Sequence, residues 1–187
     1  MKALKILAVL MLFFLLAPSS SLRAQKKRST GLKKSCQDFV QAFYDWYVPK
    51  SLMPHEGFAS DLALKLKHSS FSPELARQLK EDSDVRAEAA KEGELDGLDF
   101  DPFLHSQDPD EHYVAGRIAV KGTSYWAEVH SVRDGKKSEK PDVVAELVRE
   151  NGRWIFVNFH YGTMDEPGNN LLNILKNLRE FRGKTPK

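Results

Sequence analysis

The apolar positions follow three different patterns along the chain. Residues 6–16 form an unbroken apolar run of 11. From residue 35 to about 91 the apolar residues recur at helical spacing. Phe39, Val40, Phe43, Trp46 and Tyr47 share one helix face, with Ser35 and Asp38 as a capping box and Pro49 at the end. A short helix is predicted over 59–67, with Leu62 and Leu66 four apart. A third is predicted from Ser72 (cap), Pro73 (first helical position) and Glu74 (favouring the dipole) to about Lys91, with Gly93 as its stop. After His112 the pattern becomes β-branched and aromatic. Residues 113–120 and 124–132 read as strands joined by Lys121-Gly122-Thr123, and 134–142 as a polar loop. Residues 143–150 and 153–161 flank Asn151-Gly152, a strong hairpin signal. A two-residue loop there pairs Glu150 with Arg153, and so predicts Val148 opposite Ile155 and Val144 opposite Phe159. Val143, Ala145, Leu147, Trp154, Phe156, Asn158 and His160 then share the other face. Residues 170–181 read as an amphipathic helix with Leu171, Ile174, Leu175, Leu178 and Phe181 as its stripe.

Helices followed by antiparallel strands define an α+β class, not a βαβ fold. The expected architecture is N-terminal helices packed on a curved antiparallel four-stranded sheet, a cone with a pocket, closed by the C-terminal helix.

The first apolar run changes how the composition is read. Lys2 and Lys5 precede it and Ala17-Pro18-Ser19-Ser20-Ser21 follows, which is the anatomy of a secretory signal peptide, and the run is too short to span a bilayer. Cleavage near Ala24 leaves a mature chain of 163 of the 187 residues. The domain plan is a leader over 1–24, a basic flexible tail over 25–34, one α+β domain over 35–182, and a disordered tail over 183–187. The whole chain has 28 Lys+Arg, 26 Asp+Glu and a net charge of +2. The leader holds Lys2, Lys5 and Arg23 and no acid, so the mature charge is −1. That balance argues against nucleic-acid binding by bulk charge. Cys36 is the single cysteine, so no intramolecular disulfide forms, and it stands too far from the leader to be a lipidated N-terminal residue. The mature chain has no second long apolar run to act as a transmembrane anchor. The expected location is the periplasm or the medium.

Two stretches carry a resemblance. One is Gly97-Leu98-Asp99-Phe100-Asp101-Pro102-Phe103-Leu104-His105-Ser106-Gln107-Asp108-Pro109. The other is Gly135-Lys136-Lys137-Ser138-Glu139-Lys140-Pro141-Asp142-Val143-Val144-Ala145-Glu146-Leu147, followed by Gly152-Arg153-Trp154-Ile155-Phe156-Val157-Asn158-Phe159-His160-Tyr161 and the Leu/Ile-rich final helix. Together they resemble an exported bacterial domain-of-unknown-function family, number 3828 of its series, a branch of the nuclear transport factor 2-like cone folds. The resemblance covers roughly residues 35–181. It implies fold and export and no activity. Family members also occur as lipoproteins, whereas this chain lacks a cysteine beside its leader.

Candidate chemistry begins with acids. Residues 81–111 hold twelve acids against Arg86 and Lys91, a local charge of −10. Such a segment can hold Ca²⁺, but the EF-hand template fails, because Phe103 stands where the last carboxylate belongs. The plainer reading is a solvated helix face followed by turn residues. Within it, Asp99, Asp101, Gln107 and Asp108 sit among Phe100, Phe103 and Leu104. Carboxylates near apolar walls can work as acid or base; the alternative is that they cap turns while Phe103 plugs the cone. Trp126, Glu128 and His130 share one strand face, and His160 lies in the family-like stretch. If these faces meet, Glu128, His130 and His160 form a general base or a metal site. Cys36 beside a helix N-terminus is an activated thiol able to link two copies into a homodimer; the alternative is a small helix-facing residue. His55-Glu56 lacks the second histidine of a zinc-protease helix, and no hydrolase, phosphate-loop or dinucleotide fingerprint occurs.

These readings converge on a non-enzymatic exported domain that binds a small ligand or an exported protein partner at the cone mouth. The expected polar contacts are Asp101, Gln107 and Asp108, with Trp126 as an apolar wall and His160 and Tyr161 at the rim. No catalytic residue, metal or cofactor is assigned. The alternatives are a small-substrate enzyme with Asp101 or His160 as general base in the cone pocket, and an inhibitor or immunity-type module that uses the acidic loop.

Overall fold

The computed structural model describes residues 19–53, 58–165 and 169–183. Residues 1–18, which hold the apolar run read as a leader, and residues 184–187 lie outside the described residues, as does His55-Glu56. The chain divides into two compact units at Lys34/Ser35, and the sheet belongs to the second, Ser35–Lys187.

Helix α1 spans Ser19–Ser51. Ser35 therefore does not cap it, and the basic stretch 25–34 is helical instead of a flexible tail. Between Ser29 and Ser35 Gly31 is the residue that most disfavours a helix, and one glycine costs about 1 kcal/mol without ending it. The Ser35 hydroxyl accepts the Trp154 indole N–H at 3.0 Å instead of capping. Helix α2 is Ala59–Leu66, followed by a 3-10 turn at His68–Ser70. Helix α3 is Pro73–Lys91, with the Ser72 side chain accepting from the Leu75 N–H and Pro73 in the first turn. Gly93 follows it at φ +74°, the left-handed conformation that ends helices. Helix α4 is Leu171–Arg182, capped by the Asn170 side chain. Its stripe holds at Leu171 and Leu175, but Phe181 at its end is exposed.

Four long strands form as the alternation predicts: β1 His112–Lys121, β2 Ser124–Arg133, β4 Val143–Glu150 and β5 Arg153–Tyr161. Two two-residue strands, β3 Lys136–Lys137 and β6 Asn169–Asn170, bring the curved antiparallel sheet to six. The long-strand order is β1-β2-β4-β5, with β6 beyond β5 and β3 on β2. β3 arises because Asp134-Gly135 turns the chain straight back, both residues having positive φ. An Asp-Gly pair is a hairpin signal of the same kind as Asn151-Gly152.

The β4–β5 register departs from the expectation in one place. Glu150 pairs with Arg153 and Val148 with Ile155, but beyond Leu147↔Phe156 the register shifts, so Val144 faces His160 and Ala145 faces Phe159. Val157 is the extra residue of a β-bulge. It breaks the alternation, so Phe156 and Phe159 lie on one side and Asn158 and His160 on the other.

The helix-facing side of the sheet meets the α1 stripe in an aromatic core. The Phe43 ring lies 4.9 Å from Phe156, 5.5 Å from Tyr47, 5.6 Å from Phe103 and 5.8 Å from Phe71. Phe103 comes from the loop before β1, is fully buried, and also packs 4.9 Å from Phe159. These rings fill the space between α1 and the sheet that the cone reading assigned to a pocket.

Both sheet edges are covered in part. Gln41 accepts from the Ala115 N–H and donates to the Tyr113 carbonyl, and Gln37 donates to the Ala115 and Gly116 carbonyls. On the β5 side, Phe71 bridges Phe156, the Ser72 N–H donates to the Phe156 carbonyl, and β6 pairs with His160 and Tyr161. Open backbone groups that would otherwise invite another strand are thus occupied by the protein's own amides.

Replacing Phe103 by Ala removes the ring shared by α1, β5 and the loop, and should cost about 3–5 kcal/mol in urea unfolding.

Candidate functional site

The loop 94–109 is tied down from below. Asp101 Oδ1 accepts the Phe103 and Leu104 N–H groups at 2.9 and 3.1 Å, and Oδ2 accepts the Tyr47 hydroxyl at 2.5 Å. Burial, and next the Asp101 charge, hold the Tyr47 phenol well above its ordinary pKa, so it stays a donor. The Tyr161 hydroxyl donates to the Pro102 carbonyl at 3.0 Å, and its ring stacks on His105 at 4.3 Å. The Tyr44 hydroxyl donates to the Phe103 carbonyl.

The start of the loop hangs on a buried carboxylate. Asp82 of α3 is 2% exposed. It accepts the Leu98 N–H at 3.1 Å and Arg182 Nη2 of α4 at 2.9 Å, and pairs with Arg86 Nε at 3.2 Å. Arg182 also bonds Asp96, and Arg86 reaches Asp61 of α2 while lying 3.9 Å over the Phe58 ring. A buried charge persists only when it is paired and hydrogen-bonded, and here three elements supply the partners. Gly97, at φ +95°, passes so close that a Cβ would lie 2.6 Å from Arg86 and 2.8 Å from Asp82.

Between this loop and α1, α2 and α3 lies a cleft of about 880 Å³. Its acids are Glu94, Asp96, Asp99 and Asp101, and its cation is Arg86. Phe58, Leu95 and Phe100 supply apolar surface, and Gln107 stands at its edge, 3.5 Å from Asp99. Leu95 is wholly exposed.

A second polar group lies on the side of the sheet turned away from α1. His160 Nε2 meets Glu146 Oε2 at 2.9 Å. The His160 ring stacks 4.1 Å from Trp126, and Lys121 Nζ sits 3.9 Å from the Trp126 ring while donating to the Met164 carbonyl. Arg117 Nη2 bonds Glu128 at 2.9 Å. The hydrogen bond from His160 holds the Glu146 carboxyl below its ordinary pKa, against a burial effect that would raise it.

The residues expected to form one site therefore lie in separate places. Asp101 and Gln107 line the loop cleft, with Asp101's oxygens engaged in turn capping. Asp108 is exposed beside it, its N–H on the Ser106 hydroxyl. Tyr161 anchors the loop. Trp126 and His160 sit on the far side of the sheet; the β5 bulge turns His160 away from Phe156, whose face strict alternation would have given it. Glu128, His130 and His160 do not form a three-ligand centre, since His160 pairs with Glu146. Among the described residues no group of three or more His, Cys, Asp or Glu is placed to hold a metal ion. Cys36 is fully buried in mid-helix, and burial pushes its thiol up to about 12. It is neither activated nor accessible for pairing between copies. Asp82, Arg182 and Glu146 were missed. Asp82 and Arg182 stand 100 residues apart with no local signal. Glu146 had a weak signal, being a lone charge within the otherwise apolar stretch 143–148.

No family model matches the chain, and no curated protein matches its sequence. Among solved structures, a crystal structure of a protein of unknown function from Bacteroides thetaiotaomicron superposes with a TM-score of 0.50 at 16% identity, covering 74% of this chain and 98% of that one. At that identity the likeness is one of fold alone. No helix among the described residues is long and apolar enough to cross a membrane.

Asp82→Ala leaves Arg86 and Arg182 without their shared partner and frees the Leu98 N–H, and should cost about 3 kcal/mol or more in denaturant unfolding. The Glu146–His160 pair should show an acid dependence. Because the folded Glu146 pKa is depressed, its contribution is complete above the ordinary carboxyl value of 4.5 and is lost as pH falls through the folded value. The stability gap between wild type and Glu146→Gln, from urea curves across pH, should therefore be widest near neutrality and close at strongly acid pH.

Proposed function

We propose that this is an exported, non-enzymatic binding protein related to the cone-fold family it resembles, and that it holds its ligand in the loop cleft over residues 94–109. The single observation that carries this reading is the composition of that cleft: four carboxylates, one already paired arginine, and the apolar surface of Phe58, Leu95 and Phe100. Such a lining suits a ligand with a cationic group and an apolar body, either a small amine or a basic side chain of an exported partner. The full exposure of Leu95 favours the protein partner, because a lone apolar tip beside acids gives little to a small solute and much to a complementary surface. The non-enzymatic reading is supported by the aromatic filling of the space where a cone enzyme keeps its base. The export reading is supported by the leader's charge and apolar pattern.

The test is an amide chemical-shift titration with a short Lys/Leu peptide, with a small aliphatic amine, and with an uncharged Gln/Leu peptide as control. Shifts confined to residues 94–109, weakened by salt and reduced in Glu94→Gln/Asp99→Asn, are expected. No response to either cationic probe, or an equal response to the uncharged peptide, would overturn the reading.

A further inference from the structure

On the far side of the sheet, His130 is set up unlike the other described histidines. Its side chain is 4% exposed. Nδ1 lies 3.0 Å from the Ser138 carbonyl, which can only accept, so Nδ1 carries the hydrogen and Nε2 presents a lone pair. Nε2 is buried with no hydrogen-bond partner. It faces Glu128 Oε2 at 3.7 Å. The other Glu128 oxygen, Oε1, is held by Arg117 Nε and Nη2 at 3.2 and 2.9 Å. Two electron-rich atoms are thus fixed toward each other with no protein donor between them. A buried acceptor pair of this kind calls for a donor or an electrophile between its two atoms.

The backbone is shaped around this ring. Gly116 lies where β1 shifts register, and a Cβ there would stand 3.0 Å from both Cδ2 and Nε2 of His130. An imidazole whose second nitrogen donates to a backbone carbonyl is oriented as metal-bound histidines are. Bond lengths of about 2.0–2.2 Å to imidazole nitrogen and carboxylate oxygen place a tetrahedral ligand pair roughly 3.4 Å apart, so a small side-chain adjustment closes the observed gap.

We propose that His130 Nε2 and Glu128 Oε2 bind one divalent transition-metal ion of the zinc type. The Ser138 carbonyl orients the imidazole and Arg117 keeps Glu128 monodentate. The protein supplies two ligands, and water or an added ligand takes the remaining positions. Arg117's charge lowers the affinity, so the ion exchanges readily. His160 takes no part, because its Nε2 belongs to Glu146.

The experiment is a Zn²⁺ titration of the intact chain, followed by calorimetry and by ring-nitrogen NMR of the histidines. Saturable binding is expected to move the His130 Nε2 resonance. Glu128→Gln, nearly isosteric and expected to keep the fold, should weaken that binding about tenfold or more, as loss of a supporting or ligating group does in other sites. His130→Ala should abolish it, and His160→Ala should leave it unchanged. Zn²⁺ that moves only exposed histidines, a His130 ring that responds to pH and not to Zn²⁺ (a proton only), or undiminished affinity in Glu128→Gln would each overturn the proposal.

Discussion

One extra residue in β5, Val157, sorts the side chains of the sheet. Without the bulge, strict alternation would put Phe156 and Phe159 on opposite sides. With it, both rings face α1 and stack 5.2 Å apart. That pairing makes the aromatic core continuous from Phe43 through Phe103, the ring by which the pre-β1 loop joins it, while Leu98 and Leu104 of the same loop are buried too. The same shift sends Asn158 and His160 the other way. There Asn158 holds the start of α4 through Asn170 and the Leu172 N–H, and His160 meets Glu146. The β5 contribution to the core, the seating of the last helix on Asn158 and the Glu146–His160 pair all follow from this bulge.

The electrostatics follow from what the core leaves over. Because Phe103 fills the space under the sheet, the loop that carries it must lie across the top, and its polar residues turn outward around a cleft. The loop needs a second fixed point, and the buried Asp82 supplies it through the Leu98 N–H. Asp82 needs counter-charge in turn, which comes from Arg86 on its own helix and Arg182 on the last one. An acidic segment that looks uniform in sequence thus divides into roles. Asp82 and Asp101 are structural acceptors whose capacity is used, whereas Glu94 and Asp99 border open space. In the proposed binding role the incoming cation falls to the second group, because a carboxylate already engaged by buried donors has less to offer it.

The elements were legible because their signals are local. Ser72 and Pro73 start α3, Asn170 starts α4, and Asn151-Gly152 turns β4 into β5, each through backbone geometry that a few neighbouring residues decide. The alternation of apolar residues likewise located all four long strands. Where local reading failed, a stronger competing effect is visible. Good helix formers on both sides of Gly31 carried α1 through the expected cap at Ser35, and Asp134-Gly135 folded back within what looked like loop. The six residues read as one site divide between the loop 94–109 with its anchor Tyr161 and the far side of the sheet with Trp126 and His160.

The sequence by itself determined the α+β class, the order of helices and strands, the hairpin turn and the acidic character of the loop, since each depends on spacing and charge along a short stretch. Only the tertiary structure decided which carboxylates are buried, which histidine pairs with which acid, and that the interior is packed with rings. Those outcomes depend on residues as far apart as Asp82 and Arg182, and on a bulge that reverses the facing of every side chain beyond it. No local pattern reports either, because each is settled by packing and desolvation after the chain has closed on itself.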